Sequence, residues 1–150
     1  MLQDNIKAKG VLTLVLTDEN GNVKEQNEHN LVVSAGLAYI ASRMKDTTAS
    51  VMSHMAVGAG TTAAAAADTA LGSQLGRVAL DSTSIVTTSV TGDSVQYVAT
   101  FPAGTGTGAV TEAGVFNASS AGTMLCRTVF PVINKGALDT LTITWKVTVA

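Results

Sequence analysis

The chain has 150 residues, of which 46% are hydrophobic and only 13% charged, and its formal net charge is −2. That is one domain's length of chain. It is too apolar to be a disordered segment, and it lacks the basic surplus with which nucleic-acid binders meet phosphates. A single cysteine, Cys126, excludes an internal disulfide framework and the cysteine-rich zinc patterns.

Residues 1–9 contain no apolar leader of the secretory kind and read as an N-terminal arm, with the domain proper over 10–150. Residues 10–17 (GVLTLVLT) form a β-rich run that ends at Asp18-Glu19-Asn20-Gly21. Asn-Gly is the strongest short hairpin signal, so 23–28 is the polar return strand. A short apolar run follows at 31–34. From Ala35 to Asp46, Leu37, Ile40, Ala41 and Met44 recur at helical spacing. Ser34 is placed to cap this helix, and Arg43 and Lys45 suit its C-terminal dipole.

Everything later reads as strand and turn. Strands are expected over 52–57 and 75–80. Two hairpins follow, one from 84–90 and 94–101 around Thr91-Gly92-Asp93, the other from 110–117 and 123–130. The last strand, 138–149, alternates so that Leu141, Ile143, Trp145, Val147 and Val149 share one face. Residues 58–72 and 104–108 are Gly-rich loops. Eight or more short strands at this spacing predict a mainly β, single-domain antiparallel β-sandwich, jelly-roll-like or simpler, with one short helix. No stretch reaches the ~20 apolar residues of a membrane-spanning helix.

Sites of chemistry are thinly represented. The two histidines, His29 and His54, show no metal-ligand spacing. His29 reads as a solvated loop residue and Cys126 as a small core residue. The run from Asp18 fails as a calcium loop, because Val23 stands where the sixth-position glycine belongs and His29 where the twelfth-position glutamate belongs. Residues 58–63 spell G-x-G-x-x-A, the outline of a phosphate-cradling turn with Asp81 about 20 residues on. No strand–helix alternation follows it, and a flexible surface loop is the simpler reading. No G-x-S-x-G elbow is present, and Phe116 stands where its serine would be.

Charge is also unevenly placed. Residues 1–46 hold 11 charged side chains, and the following 104 residues hold only 9. Charged residues are depleted at interface cores, so the sparsely charged Thr/Ala-rich remainder points to surface covered by protein partners.

The strings themselves suggest a family. MAVGAGTT at 55–62, ADTALG at 67–72 with Arg77, TEAGVFNA at 111–118, GTMLCRTVF at 122–130, LTITWKV at 141–147 and NLVVSAGL at 30–37 together resemble tailed-bacteriophage virion proteins. The likeness covers roughly residues 30–149. Similar strings occur in capsid-associated proteins and in tail-fibre or collar-like modules. The short chain, without repeats or heptads, favours a capsid cement or decoration protein. The resemblance implies a non-enzymatic protein, made in the host bacterium's cytoplasm, that binds the outside of the assembled shell and bridges neighbouring major capsid subunits. It implies self-association as a dimer or trimer, and no cofactor, metal, nucleic acid, membrane or small-molecule substrate. The tail-associated reading is the alternative. The expected contacts are Met1, Leu2, Ile6, Lys7 and Lys9 of the arm, Thr61, Thr62 and Ala65 of the first Gly-rich loop, and Thr105 and Thr107 of the second. Deleting 1–9 or 58–72 should then weaken shell binding and leave the fold intact.

Overall fold

A computed structural model describes residues 6–45 and 49–150. Among these, nine strands and one helix follow in chain order: β1 (Ala8–Thr17), β2 (Val23–Val32), α1 (Ser34–Lys45), β3 (His54–Gly58), β4 (Gln74–Ala79), β5 (Ser82–Val86), β6 (Ser94–Phe101), β7 (Gly108–Phe116), β8 (Met124–Lys135) and β9 (Thr140–Val149). The expected mainly β, antiparallel single domain with one short helix is the architecture observed. Its two layers are halves of one continuous sheet, ordered β4-β3-β7-β8-β2-β1-β9-β6-β5.

β2 makes the join. Its residues 23–30 pair with β1, and only Leu31 and Val32 pair with β8. The polar return strand and the apolar run after it are therefore one strand that passes from one layer to the other. The β1–β2 loop closes on Asp18, whose carboxylate accepts the backbone N–H groups of Asn20 and Asn22, each at 2.9 Å.

Alternation supplies the core. Leu12 and Leu14 of β1, Ala99 and Phe101 of β6, and Leu141, Ile143 and Trp145 of β9 are fully buried. They meet Met55, Val57, Val110, Val115 and Cys126 from the other layer. Val149 departs from the expected alternation and is exposed, whereas its neighbour Thr148 is buried. A second, smaller cluster of Val33, Ala56, Phe116 and Met124 lies apart from the main core, with Leu71 of the 59–73 loop packed against it. The outer loop thus contributes to burial.

The helix begins one residue early. The N–H of Leu37 donates to the carbonyl of Val33, so Val33 occupies the position expected for Ser34. The Ser34 N–H donates instead to Ala66 of the 59–73 loop at 2.8 Å. Gly36 is the helix's one buried residue. A Cβ there would collide with the carbonyl oxygen of Leu125, so glycine lets the helix backbone lie directly on β8.

Candidate functional site

The Gly-rich loop after β3 is held by a buried staple. Glu112 on β7 is fully buried beneath it. One carboxylate oxygen, Oε1, accepts the backbone N–H of Gly60 (2.8 Å) and Ser73 (2.7 Å). Oε2 accepts the Gly72 N–H (2.9 Å) and Nε and Nη2 of Arg127 (3.0 and 2.8 Å). Arg127, on the neighbouring strand β8, also donates to Asp68 (2.7 Å) and to the Thr62 carbonyl (3.1 Å). Burial alone would raise the Glu112 pKa. The N–H groups of Ser73 and Gly72, the Arg127 guanidinium and the Gly60 N–H outweigh it and hold the carboxyl below its ordinary range.

This arrangement corrects the flexible-loop reading. The turn does cradle an anion, in keeping with the glycine pattern, but the anion is the protein's own carboxylate. A Cβ on Gly60 would stand 2.5 Å from Glu112 Oε1, so the close approach requires glycine. Beside the staple, the Arg77 guanidinium lies 3.8 Å above the centroid of the Phe116 ring. Its Nη1 donates to the carbonyls of Ala118 and Ala121, both at 3.0 Å, and so closes the β7–β8 turn.

The expected contact residues do not form one patch. Thr61, Thr62 and Ala65 are exposed on the stapled loop, and Thr107 is exposed on the β6–β7 loop. Thr105 is half-buried, because its loop packs against Gly76 of β4. Lys7 exchanges backbone hydrogen bonds with Ala150 (2.9 and 3.0 Å), and Lys9 pairs with Thr148 in β1. A free arm through residue 9 is therefore corrected: strand pairing starts at Lys7. Ile6 is 75% exposed, and Met1 and Leu2 lie outside the described residues. Ala8 pairs with Val149 while Phe101, at the start of the β6–β7 loop, pairs with Leu141. Eight residues of β9, about 27 Å, separate these two ends.

A different surface stands out. At the Val149 end the sandwich is open, and a groove of about 530 Å³ runs between α1 and the inner face of β5, β6 and β9. Tyr39, Ile40, Val51, Ile85, Val95 and Val149 are among its walls. Arg43 stands on its rim and donates to the Ala49 carbonyl at 2.9 Å. Ile85 is 68% exposed there. The helix turns Gly36 toward the sheet, with Ile40 and Arg43 toward the groove, which leaves Leu37, Ala41 and Met44 facing outward; Met44 is 83% exposed. The helical spacing is borne out, and of its four apolar residues Ile40 alone turns toward the groove. No signal in the sequence marks which of two apolar stripes is inward, except Gly36 as the point of closest approach.

The remaining candidates fall into structural places. Cys126 is buried in the core, and burial pushes its thiol well above the ordinary range. Burial likewise raises the Tyr97 phenol. His29 is exposed on β2, in a strand and not in a loop. His54 Nδ1 lies 2.8 Å from the Ser53 hydroxyl. Among the described residues no three His, Cys, Asp or Glu side chains gather as a metal site, and no helix is long and apolar enough to cross a membrane. Comparison with protein-family models, with curated proteins and with solved structures found no match.

Proposed function

We propose that this chain is a structural protein of a tailed-bacteriophage virion, of the capsid cement type. It binds the outside of the assembled shell and bridges neighbouring major capsid subunits. The observation that carries the reading is the surface: Val51, Ile85 of β5 and Val149 of β9 stand exposed around one groove, and apolar patches of that kind mark protein contacts. The stapled loop adds a second face, uncharged at Thr61, Thr62 and 63–67 and fixed in shape by Glu112 and Arg127.

The strings behind the family resemblance supply Gly60, Asp68, Gly72, Glu112 and Arg127 to that one staple. This supports reading them as a structural signature and not as reacting groups. Binding to the assembled shell but not to dispersed subunits stabilises the shell by linkage, and contact area offsets the outward pressure of packaged DNA without any chemical step. The staple also changes how the contacts are tested. Deleting 58–72 would strand a buried carboxylate and a buried guanidinium, so it is not neutral to the fold. Point substitutions at the exposed Thr61, Thr62 and Ala65 are the clean probe.

The deciding experiment is the copy number per purified particle, by quantitative mass spectrometry against the most abundant shell protein. Copies proportional to that protein support cement. A handful per particle moves the chain to the tail, and absence from particles overturns both.

A further inference from the structure

We infer that β5 is a self-pairing edge, through which two copies of this chain join antiparallel into one continuous sheet. β5 and β4 end the nine-stranded order, and residues 23–30 of β2 and the middle of β8 have one side unpaired as well. Natural edges carry charges, prolines or irregular backbone that discourage further pairing. β4 carries Arg77, its register with β3 shifts at Val57/Gly58, and the β6–β7 loop packs against Gly76. The free side of β2 carries Lys24, Glu25 and Glu28, and β8 carries Pro131 where it leaves β2.

β5 carries none of these. Its sequence is Ser-Thr-Ser-Ile-Val, its register with β6 is unbroken over all five residues, and four of the five are exposed. The two acids nearest to it face their own chain. Asp81 Oδ2 accepts the Thr100 hydroxyl at 2.7 Å, and the Asp93 carboxylate accepts the N–H groups of Thr88, Ser89 and Val90. Neither carboxylate lies within the five residues of β5 itself.

A second copy fits this edge better than a foreign strand does. An antiparallel edge pairs with itself isologously, and each chain supplies the donors and acceptors the other lacks. The inner face continues across the join as well. Ile85 stands in a cross-strand row with Val95 and Val147 along the groove, so a partner's β5 extends the apolar wall that is now open. The inference stands on the sheet edge and holds whether or not the protein is a virion component.

The test is sedimentation of the full chain across concentrations up to about 100 μM, in the range where weak protein pairs form. A dimer is expected for the unaltered chain. Ile85→Lys places an inward-facing charge on the edge at an already exposed site. It should give a monomer that melts where the unaltered chain does at dilutions that leave that chain monomeric. Arg77→Lys, on the other terminal strand, should leave the dimer intact. Single cysteines at Ser82, Ser84 or Val86 should cross-link the dimer at one register, with Cys126 remaining buried. A monomer at every concentration overturns the inference, and so does a dimer indifferent to Ile85→Lys.

Discussion

Replacing Glu112 by Gln keeps the shape of the side chain and turns one acceptor into a donor. The carboxylate accepts five hydrogen bonds, two at Oε1 and three at Oε2. Whichever position the amide nitrogen takes, at least two donors then face a donor. In either orientation Arg127, itself buried, loses the Glu112 charge and keeps Asp68 as its ion-pair partner. Breaking one side of a buried ion pair costs about 3–5 kcal/mol. For a domain of this size that lowers the melting temperature by roughly 6–20 °C. Trp145 is the sole tryptophan and is fully buried, so its fluorescence reports global unfolding in heat or urea. Elastase, which cuts beside small residues, should open the 63–67 alanine run in the variant well before it does so in the parent. Combined with Arg127→Gln, the double variant should be much less destabilised than the sum of the two singles, because both remove the same contact. A loss below about 1 kcal/mol for Glu112→Gln, or additive effects in the double variant, would refute the staple.

The pH dependence follows from the same groups. Hydrogen bonding from Ala65, with help from Arg127, holds the Asp68 carboxyl below its ordinary value, and Glu112 is held low as described. A carboxyl depressed on folding contributes stability that is present above its unfolded pKa and is lost as pH falls through its folded one. The urea midpoint should therefore hold level from pH 7 to about 5 and fall below that, less steeply in Glu112→Gln. Gly36→Ala should cost about 1–3 kcal/mol in urea denaturation, since the Leu125 carbonyl and the helix must part; an unchanged midpoint would contradict the close packing. Cys126 should resist a thiol reagent in the native protein and react at the rate of unfolding, whereas prompt labelling would show that the core is open. Charged replacements at Thr61, Thr62 or Ala65 should leave the melting temperature unchanged and weaken binding to shells in a pelleting assay.

The strands are legible because alternation is a local signal: Leu12, Leu14, Ile143 and Trp145 can be placed inward from their own neighbours. The hairpins announce themselves through turn residues. Three features lie beyond that reach. The joining role of β2 depends on Leu31 and Val32 finding Arg127 and Cys126, nearly a hundred residues away. The staple draws on Gly60, Asp68, Gly72, Glu112 and Arg127, and periodicity cannot assemble groups so far apart. A lone Glu flanked by Thr111 and Ala113 on a strand otherwise apolar toward its end is the available clue, since a buried acid demands donors. The outward turn of Leu37 and Met44 is unreadable, because an amphipathic pattern shows that an apolar stripe exists and not whether this chain alone covers it.

The position of β9 bears on how the protein is made. The ninth strand in chain order sits inside the sheet, between β1 and β6. At synthesis rates of about 5–20 residues per second, the β1–β2 hairpin emerges roughly 5–20 s before the strand that must cover its other side. Until then Leu12, Leu14 and Leu16 have no permanent shelter, and pairings of such long sequence separation are slow to form. Folding of this layer must therefore wait for β9, however early the hairpin is made. A product interrupted before that strand would lack the middle of its sheet, with β1 and β6 left unjoined.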